Sequence, residues 1–330
     1  MRQIFARIAA VFLMISPAFA ECTGRNLFLA LPAADQAALR ALTDAAPFAR
    51  GNFWRATRGD LVVTLVGTFH LDDPRHDSAV AALTPLLAAA TTLLVEAGPV
   101  EEQQIKSYLA RHPDAMIDNQ GPTWPEVLSP PDWARLSDAL RARGIPPFMA
   151  AKFRPMYLAM LLAIPSCNFG SADLRNGLDM RLMAAAAKLE IPVQALEPFD
   201  TILKVFDGYT AKDQQTVVLQ SVLLDDQNAS LAVTMADAYF RGESRLIWEY
   251  SRYLTQSLPG MSAAEVDRQF ALTEQSLIIT RNRSWIPLIE AVAAHGPIVV
   301  AFGAMHLSGD LGVLRLLENA GFTLQPIAFN

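Results

Sequence analysis

The stretch VTLVGTFHL at residues 63–71 decides the fold, because its pattern occurs a second time as VVAFGAMHL at residues 299–307. In each copy an apolar run, typical of a strand covered on both faces, ends in Gly-x-x-His-Leu and precedes a helical pattern. The first copy belongs to a predicted hairpin whose arms, residues 53–57 and 61–66, flank the turn Arg58-Gly59-Asp60. The repeat predicts two related halves of one sheet.

Each half also contains a short predicted strand that ends on an acidic residue. Strand 91–95 is followed by Glu96, and strand 191–196 is followed by Glu197. The histidine precedes the acid in the first half and follows it in the second, which suggests a pseudo-twofold axis and one shared site. Because strand–helix–strand units are parallel, we expect His70 and Glu96 to be neighbours at the carboxyl edge of the sheet, where ligands bind.

These patterns predict an α/β protein with a mixed central sheet of two pseudo-symmetric halves flanked by helices and a largely helical insertion between them. We divide the chain into a signal peptide at 1–20 and one domain at 21–330, with a first half at about 50–100, a helical middle and strand at about 101–200, a helical segment at about 201–295 and a second Gly-x-x-His half at about 296–330.

The first twenty residues have the three parts of a secretory signal. Arg2 and Arg7 are basic, residues 8–15 are apolar, and Ala18-Phe19-Ala20 forms a cleavage pattern. The alternative is a membrane anchor, but the apolar run is shorter than the roughly 20 residues that span a bilayer and is broken by Ser16-Pro17. We expect a periplasmic or secreted protein with no stable membrane anchor after cleavage.

Export also bears on the two cysteines, Cys22 and Cys167, both of which survive the predicted cleavage. In an oxidising compartment an even pair predicts one disulfide, and the alternative is two unpaired buried thiols.

The net charge limits the partners. The chain has 27 Lys and Arg against 33 Asp and Glu, and loss of the signal with its two arginines leaves 25 against 33, a net charge of −8. Nucleic acid binding is dominated by phosphate neutralisation, so we expect no nucleic acid partner but a peptide or small-molecule substrate.

Two of the five histidines, His70 and His306, occupy equivalent positions in the repeat. We expect each motif's glycine to turn the chain through dihedral angles that a Cβ would resist. Two histidines and a carboxylate form a common ligand set for a catalytic divalent metal, so we expect His70, His306 and Glu96 to bind Mn, Co or Zn. Glu96 either completes this ligand set or takes a proton from the metal-bound water. In the metal-free alternative, a histidine oriented by Glu96 acts as a general base, and the other histidine or an arginine stabilises the oxyanion.

Two further residues are candidates for a supporting role behind these groups. Glu197 either takes part in the site or ends its strand with a salt bridge to Arg175 or Arg181. His76 lies at the predicted start of a helix, where it is a cap, a surface residue or a group behind the ligands.

The segment at residues 280–285 is predicted to lie between two helices. Arg281 is either a surface arginine or a group that holds a substrate carboxylate or carbonyl, and Asn282 or Ser284 suits a helix N-cap. The chain has no Gly-rich phosphate loop, nucleotide-binding fingerprint or Gly-x-Ser-x-Gly elbow, which argues against kinase, dehydrogenase and serine hydrolase activities.

Several motifs occur together in a fairly specific order and spacing, namely Gly67-Thr68-Phe69-His70, Glu96, Gly177-Leu178-Asp179, Leu196-Glu197, Arg281-Asn282 with Trp285, and Gly303-Ala304-Met305-His306-Leu307. In these motifs the chain, from about Cys22 to its end, resembles the TraB/GumN family. The resemblance implies kinship with the Tiki proteins, described as metal-dependent proteases, and more distantly with erythromycin esterase and the haem-binding ChaN proteins. It assigns the paired histidines to His70 and His306, the acidic strand end to Glu96 and the family arginine to Arg281.

We therefore expect an exported hydrolase, metal-dependent, that cleaves peptide or amide bonds. The alternatives are a metal-free His/Glu esterase and a non-catalytic periplasmic protein that binds haem, a metal or a peptide. The second turn departs from many relatives, which carry another glycine before the histidine, so we expect Met305 to narrow the pocket or cover the site.

Overall fold

The computed structural model describes residues 23–169 and 176–328. The predicted signal peptide at 1–20 and Cys22 lie outside these ranges, so cleavage and the Cys22–Cys167 disulfide stay predictions. Among the described residues, no helix is both long enough and apolar enough to cross a bilayer.

The described residues form a six-stranded sheet in the order β4-β3-β5-β2-β1-β6. Its strands are β1 (Phe53–Arg58), β2 (Leu61–Thr68), β3 (Thr92–Val95), β4 (Val193–Ala195), β5 (Ile298–Gly303) and β6 (Thr323–Pro326). The first four strands in this order are parallel, whereas β1 pairs antiparallel with both β2 and β6. The predicted α/β class with a mixed sheet flanked by helices is confirmed.

Strand β5 lies at the centre of the sheet, and its sequence explains why. Residues 298–302 are all at most 1% exposed, because helices cover both faces of this part of the sheet. An uninterrupted apolar run suits such a strand, whereas a strand with one solvated face would alternate apolar and polar residues. The predicted hairpin of β1 and β2 is also present, with Phe53 paired to Val66.

The strands of the two sequence halves alternate across the parallel part of the sheet. Strand β5 of the second half lies between β3 and β2 of the first half and pairs with both. The sequence predicted that the strand ends leading to His70 and Glu96 are neighbours. In the structure the end of β5 lies between them. The two motifs meet within one interleaved sheet and not across an axis between two separate halves.

Helices cover the sheet and form the long insertions. They are α1 (Ala33–Ala45), α2 (His76–Ala88), α3 (Pro99–Arg111), α4 (Trp124–Val127), α5 (Pro130–Ala142), α6 (Pro147–Ala150), α7 (Pro155–Ala163), α8 (Leu178–Lys188), α9 (Ala211–Leu223), α10 (Asn228–Phe240), α11 (Ser244–Gln256), α12 (Ala263–Thr273), α13 (Thr280–Ala293) and α14 (Val313–Asn319). Capping boxes fix the starts of α9 and α12, where Thr210 pairs with Asp213 and Ser262 with Glu265.

A single long helical segment runs from α12 to α13 and carries residues of the site. The two helices are joined without a break by the π-helical turn Glu274–Ile279. The expectation that Arg281 lies between two helices, with Asn282 or Ser284 as an N-cap, is therefore wrong. Arg281 and Asn282 are buried residues in the first turn of α13, immediately after the π-helical turn.

Smaller apolar clusters hold the helical regions together. Trp124, Leu136, Leu158 and Val218 belong to one that joins α4, α5, α7 and α9. Another packs the N-terminal segment on α11 through contacts such as Phe28 with Tyr250.

Candidate functional site

The two Gly-x-x-His turns pack directly against each other. Residue Gly67 is paired with Phe302 in the parallel ladder, and a Cβ on Gly67 would lie 3.0 Å from the Cα of Ala304 and 2.5 Å from the Cδ1 of Leu307. Neither Gly67 nor Gly303 has a positive φ; Gly303 has φ −51°. The expected reason for these glycines is thus wrong: they allow close approach, not an unusual backbone turn.

Gly303 is the point at which His70 and Glu96 come together. Its backbone N–H donates to Glu96 Oε1 at 2.6 Å. A Cβ on Gly303 would lie 3.1 Å from His70 Nε2 and 3.4 Å from Glu96 Oε1. Because no side chain fills this space, the histidine from the end of β2 and the carboxylate from the end of β3 meet above the end of β5.

Arg281 links the remaining groups of the site. Its Nε and Nη2 donate to Glu197 at 2.9 and 2.7 Å, and Nη2 also donates to Glu96 Oε2 at 2.5 Å. Its Nη1 lies 3.3 Å from His306 Nε2. The side chain is only 10% exposed, so these are partly desolvated ionic hydrogen bonds, which are stronger than surface ion pairs.

His306 is buried, and both of its ring nitrogens have neighbours on α13. Its Nδ1 lies 2.6 Å from Asn282 Oδ1, while the ring packs against Trp285 with centroids 4.6 Å apart. Burial lowers the pKa of His306 to about 4; the charge of Glu96 opposes this shift and that of Arg281 adds to it. The imidazole is therefore neutral at neutral pH.

His70 has the opposite character. Its side chain is 61% exposed, and its Nδ1 lies 3.2 Å from Asp179 Oδ1. Local desolvation lowers the pKa of His70, but the hydrogen bond and charge of Asp179, together with the charge of Glu96, outweigh it and raise the pKa to about 9. With this pKa, His70 is mainly a cation at neutral pH.

A glycine also places Asp179 next to His70. A Cβ on Gly177 would collide with the backbone carbonyl of His70, so only glycine lets the start of α8 approach this closely. The next residue, Leu178, donates its N–H to the carbonyl of Phe69 at 3.0 Å. The Gly-Leu-Asp motif is thus the device that docks α8 on the first histidine turn.

The two acids of the site have different charge environments. Burial by itself would raise the pKa of Glu96, but nearby positive charge and the Gly303 N–H lower it to about 2. Arg281 and protonated His70 supply that charge at neutral pH, since His306 contributes only when it is protonated. For Glu197, burial raises the pKa against the hydrogen bonds from Arg281 and Trp285.

The structure brings together His70, Glu96, Glu197, Arg281 and His306, but not His76. His76 is fully buried among Phe69, Tyr239 and Phe240 and contacts the carbonyl of Leu71 through Nε2 at 3.0 Å. It is the first residue of α2, so its predicted location is right, but it is a core residue and not a surface cap. Burial lowers the pKa of its imidazole.

Glu197 forms a salt bridge, but with Arg281 and not with either arginine considered from the sequence. Arg181 pairs with Asp72 and Asp77, while Glu197 binds Arg281, and Arg175 lies outside the described residues.

The sequence did not identify Asp179 or the Asn282 side chain as partners of the histidines. The only signals for them were the Gly177-Leu178-Asp179 motif and the position of Asn282 beside Arg281.

A small cavity of about 30 Å³ adjoins the second histidine turn. Met305 borders it together with Trp248 and Ile278 from the helical layer, and Arg245 contributes a charge. Met305 is half-buried there, one residue before His306.

The comparison with known families covers the part of the chain that contains these residues. No curated protein matches the chain. The model of the TraB/PrgY/gumN family matches residues 52–326, a range that includes every strand of the sheet and all the grouped residues. The chain therefore belongs to the TraB/PrgY/gumN family.

Proposed function

We propose that the protein is an exported hydrolase that cleaves peptide or amide bonds at the site formed by His70, Glu96, Arg281 and His306. The observation that carries this proposal is the opposite protonation of the two equivalent histidines. The pKa of His70 is raised to about 9 and that of His306 is lowered to about 4. Paired groups whose pKa values are pushed apart are typical of an acid and a base in one reaction.

The donor chemistry of the site suits a divalent metal, but the arrangement does not. Two imidazoles and a carboxylate are common ligands of catalytic metals. Here both oxygens of Glu96 accept hydrogen bonds, from Gly303 and Arg281, and His306 Nε2 faces the Arg281 guanidinium at 3.3 Å. Among the described residues, no group of three or more His, Cys, Asp or Glu side chains is placed to hold a metal ion.

The residues as they stand support acid–base hydrolysis without a metal. Neutral His306 has a lone pair on Nε2, which faces Arg281 Nη1 at 3.3 Å. When Arg281 turns to a substrate oxygen, a water can bind this nitrogen in its place. His306 would accept a proton from that water as it attacks the carbonyl carbon. Arg281 would stabilise the negative charge on the carbonyl oxygen, and cationic His70 would protonate the leaving amine.

Glu96 acts on this reaction through the groups it holds. Its two oxygens fix the Gly303 backbone and the Arg281 guanidinium, and its ionised form keeps the charge of His70 favourable. Glu96→Gln would preserve the shape but weaken both functions. We expect it to reduce turnover by at least about a hundredfold, the lower range for loss of a contact that stabilises the charge of the transition state.

A metal-dependent form of the same hydrolysis is the second candidate. It is favoured by the convergence of His70, Glu96 and His306 at the ends of three adjacent strands and by the implied kinship with metal-dependent proteases. Mn, Co or Zn would polarise the carbonyl and lower the pKa of a bound water. Arg281 would first have to release Glu96 and His306.

Assays of peptide, amide and ester hydrolysis with untagged protein from the periplasm test this proposal. We expect full activity in a chelator with the metal shown to be absent, and loss of activity in His70→Ala and His306→Ala. Arg283→Ala is the matched control, because Arg283 is an exposed neighbour of the site on α13. Activity that is lost in the chelator and restored by Mn, Co or Zn would establish the second candidate. No turnover with any metal would overturn both and favour a protein that binds haem, a metal or a peptide.

A further inference from the structure

The side chain of Asn282 is buried and has no role in the hydrolysis described above. It is fully shielded from solvent and lies one residue after Arg281 on α13. A buried amide must satisfy both of its ends with hydrogen bonds, because an unsatisfied polar group there destabilises the fold. The partners of Asn282 are all on the turn that carries His306.

The hydrogen bonds assign the orientation of the Asn282 amide. Its Nδ2 donates to the carbonyls of Leu311 and His306 at 2.8 and 3.3 Å. The opposite orientation would place Oδ1 against two carbonyl oxygens, which cannot donate a hydrogen bond. The oxygen of the amide therefore faces His306 Nδ1 at 2.6 Å and can only accept.

The other nitrogen of the ring agrees with this assignment. Arg281 has only donors, and its Nη1 lies 3.3 Å from His306 Nε2. With a proton on Nδ1, Nε2 has a free lone pair that can accept from Arg281. With a proton on Nε2, two donors would face each other, and Nδ1 and the Asn282 oxygen would be two acceptors in contact.

We infer that Asn282 is a positioning residue that fixes His306 in the Nδ1-protonated tautomer and directs the bare Nε2 into the site. The two consecutive residues Arg281 and Asn282 thus hold opposite edges of one imidazole, and Trp285, one turn further along the helix, packs against its face. The effect on hydrolysis rests on the proposed function, whereas the tautomer is a property of the resting protein.

Nitrogen NMR of histidine-labelled full-length protein at neutral pH tests the assignment directly. A protonated ring nitrogen and one with a lone pair have well-separated shifts, and His306→Gln identifies the signals of His306. We expect Nδ1 to carry the proton in the wild type. A wild-type spectrum with the proton on Nε2 would overturn the inference, whatever the variants or the enzyme assay show.

Two substitutions separate positioning from simple structural support. Asn282→Ala removes the acceptor, so we expect the single Nδ1-protonated signal to be lost. We expect kcat to fall by about ten- to a hundredfold, the range for removing the hydrogen-bond partner that orients a metal-bound histidine. Asn282→Asp keeps an acceptor for Nδ1–H but cannot donate to the Leu311 carbonyl. It should keep the tautomer even if its thermal stability falls, and Arg283→Ala should keep both.

An Asn282→Ala spectrum identical to that of the wild type would overturn the positioning role. If the wild type and every variant lack turnover, and the tautomer changes only in Asn282→Ala, the hydrolase proposal is refuted. The assignment of Asn282 then stays in place.

Discussion

Gly67 lies so close to Ala304 that a Cβ at position 67 would be 3.0 Å from the Cα of Ala304. This contact joins the first Gly-x-x-His turn to the second one, more than two hundred residues later in the chain. The repeated glycine is thus a packing requirement of the pair of turns. Its loss should affect stability and activity differently in the two copies, because the space above each glycine is occupied by different atoms.

Gly67→Ala should lower the free energy of unfolding by about 1–3 kcal/mol, the usual effect of overpacking. The added methyl group would lie 2.5 Å from Leu307 Cδ1 and 3.0 Å from the Ala304 backbone, and the backbone cannot move without shifting β5. Urea denaturation measures the change. Gly208→Ala is the control, since a Cβ there meets nothing within 4 Å; equal stability of the two variants would refute the packing role.

Gly303→Ala should have little effect on stability but reduce kcat/KM by about tenfold or more, since small displacements of reacting groups are costly in rate. The new methyl group would lie 3.1 Å from His70 Nε2 and 3.4 Å from Glu96 Oε1. His70 is exposed and can rotate away, so the fold tolerates the change while the site does not. Steady-state kinetics and urea denaturation of the same preparation separate the two effects, and unchanged kcat/KM would contradict the placement of His70.

The sequence predicts much of this arrangement because strands and their ends have local signals. The apolar runs of β2 and β5 identify two parallel strands, and the carboxyl ends of parallel strands share an edge, which is enough to group His70, Glu96 and His306. The interleaved strand order has no such signal. It depends on which strand packs beside which, and two apolar strands of similar length can pair with several neighbours.

Two other features escape sequence reasoning for physical reasons. In the π-helical turn before Arg281, each backbone hydrogen bond spans one residue more than in an α-helix. The spacing of apolar residues does not reveal this difference. The pairing of His70 with Asp179 spans 109 residues, and only the folded chain brings these two together. A helix-capping interpretation of Asn282 is also reasonable from local pattern alone, because Asn is a favoured N-cap residue.

The pH dependence of kcat/KM should follow the two histidines. His306 must be unprotonated to act as a base, so activity should rise as the pH increases through about 4. His70 must be protonated to act as an acid, so activity should fall as the pH increases through about 9. Asp179→Asn removes a charge that raises the pKa of His70, and the alkaline limb should then move to lower pH.

This profile also separates the two forms of the hydrolase. A metal would require His70 in its neutral form, so activity at limiting metal would increase with pH towards about 9 and not decrease. An alkaline limb that does not move in Asp179→Asn would contradict the assignment of His70 as the acid.

A Cys22–Cys167 disulfide should be present in protein isolated from the periplasm. Gly24 packs against Ala229 at the start of α10, and Ala229 and Cys167 line the same pocket. Cys22 is only two residues before Gly24, a short span for an extended chain. The bond should stabilise the fold by about 4–5 kcal/mol through the long loop it closes, less if it is strained. Cys22→Ser, Cys167→Ser and the double variant should lose the same amount. Two free thiols in the denatured, unreduced protein would refute the bond.

The pairing of Arg281 with two carboxylates predicts how the site responds to loss of charge. The side chains of Arg281, Glu96 and Glu197 are 10%, 20% and 10% exposed, so neither acid is fully hydrated. Arg281→Met leaves Glu197 without a counter-charge and Glu96 with only that of His70. We expect a loss of about 3–5 kcal/mol in the free energy of unfolding, as for other broken buried ion pairs. Glu197→Gln leaves Arg281 paired with Glu96 and should cost less, about 1–3 kcal/mol. The double variant no longer has the unpaired charge of Glu197, so it should be more stable than Arg281→Met alone. Urea denaturation of the four proteins gives the coupling energy. Purely additive losses would show that Glu197 and Arg281 do not interact in solution.

Activity provides the second readout. Every Arg281 variant should be inactive, because Glu96 and the carbonyl oxygen of the substrate both lose their donor. Glu197→Gln should retain turnover, with Arg281 held by Glu96 alone.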